Sequence, residues 1–167
     1  MFLNRDRKLA YLAMPRTASH STSFVLVKEH GFKKELNDHH RTWSGDTEGW
    51  RIMTTVRNHF DWFTSFMYFV GGTTRSSPKE VLADHAEWFP KPGRLFGLHD
   101  VATDVLRFES IEEDVSRVLR ETFSLAGREH FVGKRPHHKI YLSLGDRDWI
   151  EDTFGAEMDE LGYNWGD

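Results

Sequence analysis

The apolar positions of this chain fall into two kinds of run. Short continuous stretches at Leu9–Met14, Ile52–Val56 and the neighbourhood of Asp104–Phe108 are bounded by polar or turn residues and read as buried strands. Between them, apolar residues recur at helical spacing behind recognisable start signals. Asn58 is placed to cap a helix through Tyr68. Ser77-Pro78-Lys79-Glu80 combines a cap, a first-turn proline and a glutamate that can reach back, opening a helix that ends before Pro90. Ser110 with Glu113 repeats the capping-box pattern ahead of a helix through Phe123. Gly31 and Gly162 are expected to stop the first and last helices, because glycine adopts the left-handed C-terminal conformation without strain.

Strands that alternate with helices over short connections predict an α/β domain, three layers deep around a small central parallel sheet. At 167 residues, with 38% hydrophobic and 14% aromatic content, residues 1–167 fit one compact domain. The loops Phe89–Asp100 and Gly133–Lys139 are punctuated by proline and glycine, and the second is basic. No internal repeat or low-complexity tract interrupts the pattern.

The first candidate chemistry lies at Lys8–Ser23, KLAYLAMPRTASHSTS, where a strand runs through Pro15 into a helix start. Backbone N–H groups left unpaired in a first helical turn converge on one point. Arg16, Thr17, Ala18, Ser19, His20, Ser21 and Thr22 surround it with a cation, hydroxyls and small side chains, a setting suited to a phosphate-like group. Plain helix capping by Ser or Thr accounts for the same residues equally well. The absence of any glycine-rich run ending in Gly-Lys-Ser/Thr argues against an ordinary ATP-type P-loop. A second segment, RIMTTVRNHFDWFTSFMY (Arg51–Tyr68), again carries a strand into a helix, with Arg57 and Ser65 flanking the junction.

PRTASHS after the first strand and VRNHFDWFTSF after a later one resemble the two donor-binding motifs of sulfotransferases that use 3′-phosphoadenosine 5′-phosphosulfate (PAPS). The first is similar to that family's 5′-phosphosulfate loop, commonly PKTGGTS, and the second to its 3′-phosphate motif, commonly VRNPFDRFVSFY. VLRFESIEEDVSRVL (Val105–Leu119) and the ending IEDTFGAEMDELGYNW resemble two further family segments, in the same order along the chain. The likeness is greatest to carbohydrate-type and bacterial or phage members. It implies a P-loop-kinase-like sulfotransferase fold and transfer of a sulfuryl group from PAPS to a hydroxyl acceptor such as a carbohydrate, with no metal.

On that resemblance, Arg16 through Thr22 hold the 5′ end of the donor, and Arg57 and Ser65 hold its 3′-phosphate. Lys134 and Arg135 either close over the 3′-phosphate or form a solvated basic turn. A family histidine between the two motifs implies that His40, or failing it His39, activates the acceptor; a solvated polar turn is the plain alternative for the pair, and metal ligation a remote one. The departures are specific. Arg16 stands where lysine is usual, Ala18 and Ser19 replace a glycine pair, His20 replaces a small residue, and His59 replaces a proline. A guanidinium fork differs in shape from an ammonium point charge, so Arg16 keeps alive a catalytically inactive donor-binding module beside the enzyme reading. A kinase-like phosphotransferase is the other alternative, disfavoured by the missing Walker lysine. Glu109 is read as structural, and Arg57 has Asp61 within reach as an ordinary ion-pair partner.

Charge and composition narrow the picture further. A net charge of −4 argues against general binding of nucleic acid or anionic membranes, and the absence of cysteine removes disulfides and thiolate metal sites. No run is long and apolar enough to span a bilayer, so a cytoplasmic protein is expected. The chain is short for the family, which implies an open acceptor site or one completed by a second copy in a homo-oligomer. The aromatic-rich middle, with Trp43, Trp62, Phe66, Tyr68, Phe69, Trp88 and Phe89, is expected to be mostly core, and Trp43 or Trp88 would stack on an acceptor if exposed.

Overall fold

The computed structural model describes residues 1–35, 48–70, 76–86, 94–97, 101–126 and 141–163. These fall into two compact units, one within Met1–Val56 and Leu98–Arg135, the other within Arg57–Gly97 and Pro136–Asp167.

The first unit is built on a five-stranded sheet: β1 (Phe2–Asn4), β2 (Leu9–Leu12), β3 (Lys33–Lys34), β4 (Arg51–Val56) and β5 (Asp104–Arg107), in spatial order β3-β1-β2-β4-β5. The predicted strands form its parallel part, β2 beside β4 and β4 beside β5. The sheet as a whole is mixed rather than parallel, because β1 pairs antiparallel with both β2 and β3. That hairpin turns without glycine: Asn4 Oδ1 accepts the Arg7 N–H at 3.1 Å, and Lys8 takes up a left-handed φ of 50°. β2 is buried along its whole length, which explains why LAYL reads as a continuous apolar run rather than an alternating one.

Helix α1 (Ser19–Glu29) follows β2 and ends where Gly31 adopts φ 71°, as expected of a glycine terminator. Among the described residues of this unit the other α-helix spans Ile111–Leu119; it is preceded by a 3-10 turn at Phe108–Ser110. Its buried residues, Ile111, Val115, Val118 and Leu119, sit at i, i+4, i+7 and i+8 and join Leu9, Tyr11, Val25, Leu26 and Met53 in one core. Two sequence expectations fail here. Ser110 donates its hydroxyl to Asp114 Oδ2 at 3.0 Å instead of capping the helix, and the helix stops at Leu119 rather than Phe123 because Arg120 turns left-handed at φ 57°.

The leading edges of β4 and β5 are fastened by charge. Arg51 meets Asp104 with both arms of its guanidinium, Nη2 to Oδ1 at 2.6 Å and Nε to Oδ2 at 3.2 Å, and donates to the Val118 carbonyl at 3.2 Å. Partial burial pulls the Asp104 carboxyl upward, but the Arg51 and Thr103 hydrogen bonds and the Arg51 charge outweigh it and hold the group below its ordinary value. A depressed folded-state value means the unfolded chain binds the proton more readily. The contribution is therefore present above the unfolded carboxylate value and lost as pH falls through the folded one. Asp104→Asn is expected to flatten the acid limb of stability measured by denaturant titration between about pH 5 and 2; an unchanged limb would place the loss elsewhere.

The second unit contains α2 (His59–Phe69), α3 (Pro78–Asp84) and a helix at Leu144–Leu161, here α5, with Ile111–Leu119 as α4. Ser77 and Glu80 form the capping box read from the sequence, and Gly162 closes α5 at φ 68°. Its core is aromatic: Trp62 stacks on Phe66 with centroids 4.6 Å apart, and Phe63 packs against Phe154 at 5.7 Å. Phe69 is an exception to the expected burial, 56% exposed at the end of α2. Among the described residues no helix is long and apolar enough to cross a membrane.

Candidate functional site

The loop between β2 and α1 departs from ordinary backbone at two alternate residues, Arg16 at φ 63° and Ala18 at φ 56°. Neither is glycine, so each carries the steric cost of a left-handed L-residue, about 1–2 kcal/mol. Ala18 is also the N-cap of α1, and no side chain caps that helix. Alanine is among the poorest N-caps because it offers no acceptor oxygen. Simple self-capping by the neighbouring hydroxyls is thereby ruled out: the cap position falls on the residue that cannot perform it. What remains is a strained turn that leads into the first turn of α1, at the positive end of its dipole. Ala18→Gly should relieve strain and raise stability by up to about 1 kcal/mol, a rise in Tm that calorimetry would detect; a loss would mean that Ala18 contributes packing.

The hydroxyls of the loop divide by burial. Thr17 is fully buried and donates to the Met14 carbonyl at 2.9 Å, bracing the turn from within. Ser21 and Thr22 are also buried, whereas Arg16 and Ser19 are half-buried and His20 is exposed. Thr22 Oγ1 has no hydrogen-bond partner. Beneath it, the Tyr11 phenol lies 3.0 Å from Thr55 Oγ1. Burial pushes that phenol up to about 12, against the opposing influence of Thr55 and of the Thr22 hydroxyl, which is nearby without the alignment of a hydrogen bond. Tyr11 is therefore a neutral hydroxyl near pH 7.

Beside Ala18 opens a cleft of about 390 Å³, within the ordinary size range of small-molecule sites. Phe108, Ile111 and Leu125 give it apolar walls, and Glu109, Glu112 and Glu113 line it with carboxylates. Three like charges repel an anion, so the cleft suits the uncharged or amino-bearing part of a ligand whose anionic part lies toward the α1 N-terminus. The backbone of this wall is held by Asp114, whose Oδ2 accepts the Arg107 N–H at 2.9 Å as well as the Ser110 hydroxyl. Burial raises the Asp114 carboxyl, but hydrogen bonds from Arg117, Arg107 and Ser110 dominate and keep it below its ordinary value.

In the second unit, Asn58 caps α2 by accepting the Phe60 N–H at 3.0 Å, and Arg57 precedes it directly after β4 ends at Val56. Arg57 Nη2 lies 3.8 Å from Asp61 Oδ2, and its side chain is 18% exposed against 65% for Asp61. Ser65 is buried in the second turn of the helix. The loop after β2 and Arg57 after β4 thus leave the same, carboxyl, ends of two neighbouring parallel strands.

His39, His40, Lys134 and Arg135 lie outside the described residues, as do Trp43, Trp88 and Phe89. Among the described residues no group of three or more His, Asp or Glu side chains is arranged to hold a metal ion. Sequence reasoning passed over the cleft wall, since Leu125 carries no motif and Glu109 looked merely structural. It also passed over a buried pair in the second unit, His59 and Glu157, 98 positions apart. No family model, no curated protein and no solved structure matches this chain.

Proposed function

We propose that this chain is a PAPS-dependent sulfotransferase acting on a hydroxyl acceptor, with a P-loop-kinase-like sulfotransferase fold. The observation that carries the reading is the α1 N-terminus, strained into place at Arg16 and Ala18 and capped by no side chain of its own. A helix start built in that way fits an anion. The sequence likeness of this loop and of VRNHFDWFTSF to two distinct anion motifs narrows the anion to one with two charged ends.

The donor supplies an activated sulfuryl group whose transfer moves negative charge onto the leaving phosphate. Arg16 and the first-turn N–H groups of α1 would meet that charge from fixed positions, the largest kind of contribution such a site makes. Phe108 and its apolar neighbours would wall the base, with the glutamates of the cleft accepting from its amino group. Arg57 and Ser65 would take the 3′-phosphate, and His40 the acceptor proton. As positioning accounts for most of the rate in group transfers of this type, little covalent work falls to the protein.

Titration calorimetry tests this directly. Adenosine 3′,5′-bisphosphate should bind in the presence of a chelator and more tightly than ATP. Equal affinity for ATP would instead favour the phosphotransferase reading. Arg16 in place of lysine supports one other reading, a module that binds the donor without turning it over. Release of labelled sulfate or sulfated product from labelled PAPS separates that module from the enzyme.

A further inference from the structure

His59 and Glu157 are both removed from solvent, 0% and 2% exposed, and joined by a 2.9 Å hydrogen bond from the imidazole Nε2 to Oε2. The carboxylate is otherwise satisfied by backbone: Leu95 N–H donates to Oε2 at 2.7 Å and Phe96 N–H to Oε1 at 3.0 Å. Rings of Phe96, Phe154 and Tyr163 enclose the imidazole, with centroids 5.0, 5.8 and 6.5 Å away. Complete burial excludes any contact of this pair with a ligand. Stability is also a poor explanation, since apolar residues of the same volume commonly serve a buried polar pair's place as well or better. His59 Nδ1 is moreover buried with no hydrogen-bond partner, which costs further free energy.

What the pair does hold is position. His59 is the first residue of α2, two places after Arg57 and one after the Asn58 cap. Proline is favoured at that helical position because its ring presets φ and its missing N–H is not needed there. Histidine has no such preset, so beyond the local Asn58 cap the first residue of α2 is held by its tertiary hydrogen bond to Glu157. We infer that the His59–Glu157 hydrogen bond is the positioning device for Arg57, setting the entry into α2 through a tertiary contact as a first-turn proline would through its ring. The inference rests on the proposed role of Arg57 as a 3′-phosphate ligand.

His59→Phe keeps a ring in the aromatic cage and deletes the donor; Glu157→Gln alters the other partner and serves if the first variant does not fold. In the full chain, either should lower the affinity ratio of adenosine 3′,5′-bisphosphate to adenosine 5′-phosphate about tenfold. His59→Pro, compatible with Asn58 at ψ 129°, should keep the ratio within about twofold. A folded His59→Phe variant with the unaltered ratio overturns the inference, as does His59→Pro falling as far as His59→Phe. An unaltered chain that shows no preference for the bisphosphate overturns the proposed function instead. The positioning claim is then decided by hydrogen exchange at the Phe60 and Trp62 amides, which bond to Asn58: faster exchange in His59→Phe and Glu157→Gln but not in His59→Pro supports it, and equal exchange in all overturns it.

Discussion

His40→Ala is expected to bind adenosine 3′,5′-bisphosphate as tightly as the unaltered chain while transferring sulfuryl groups roughly 10²–10⁴-fold more slowly. The expectation follows from separating the two jobs the proposed function requires. Donor affinity is assigned to cations, hydroxyls and helix-terminal amides at Arg16–Thr22 and Arg57–Ser65, none of which the substitution touches. Acceptor activation needs a group that is neutral near pH 7 yet basic enough to take a proton, and an imidazole with its ordinary pKa of about 6.5 meets both conditions. Single-turnover transfer from labelled PAPS to sugar and phenol acceptors, with His39→Ala beside it, reads the effect. Loss in the His39 variant alone moves the role back one residue. Full activity in both removes the pair from the mechanism.

The parts of this fold that were legible in the sequence are those written by local chemistry. The LAYL and RIMTTV strands, the Asn58 and Ser77 caps and the Gly31 and Gly162 stops each depend on residues within a few positions of one another, and all are found where expected. β1 and β3 were not legible. They have three and two residues, and Lys33–Lys34 becomes a strand only because β1 offers an edge 30 residues earlier. Ser110 misled for a related reason: a 3-10 turn at Phe108–Ser110 leads into the helix, and the Ser110 hydroxyl is oriented as a donor to the Asp114 carboxylate, so its oxygen does not accept a first-turn N–H as a capping serine would.

The candidate site divides in the same way. Its residue types were visible, because a basic residue, hydroxyls and a helix start lie together in one loop. Its decisive feature was not: that the N-cap falls on Ala18, and not on a serine or threonine, depends on the left-handed turns at Arg16 and Ala18, which no propensity assigns to arginine or alanine. The same holds for the cleft beside Ala18, whose wall is assembled from Phe108–Glu113 and Leu125, about ninety residues or more from the loop it borders.

Arg57→Ala should weaken adenosine 3′,5′-bisphosphate by about 1.5–3 kcal/mol, roughly 10- to 150-fold in Kd, and leave adenosine 5′-phosphate within about threefold. The size follows from losing a charge-assisted contact to a phosphate, and the selectivity from assigning Arg57 to one end of the ligand only. The competing account makes Arg57 a partner of Asp61. That pair is 3.8 Å apart with an aspartate 65% exposed, a separation and solvation at which an ion pair contributes about 0–1 kcal/mol. Asp61→Asn should therefore change neither ligand's affinity appreciably. Arg16→Ala provides the contrast: it should weaken every nucleotide that carries a 5′ group, bisphosphate and monophosphate alike, because its place is in the loop ahead of α1. Equal losses for both nucleotides in Arg57→Ala would move that residue from the 3′ end of the ligand into the framework, and with it the argument for a doubly anionic donor.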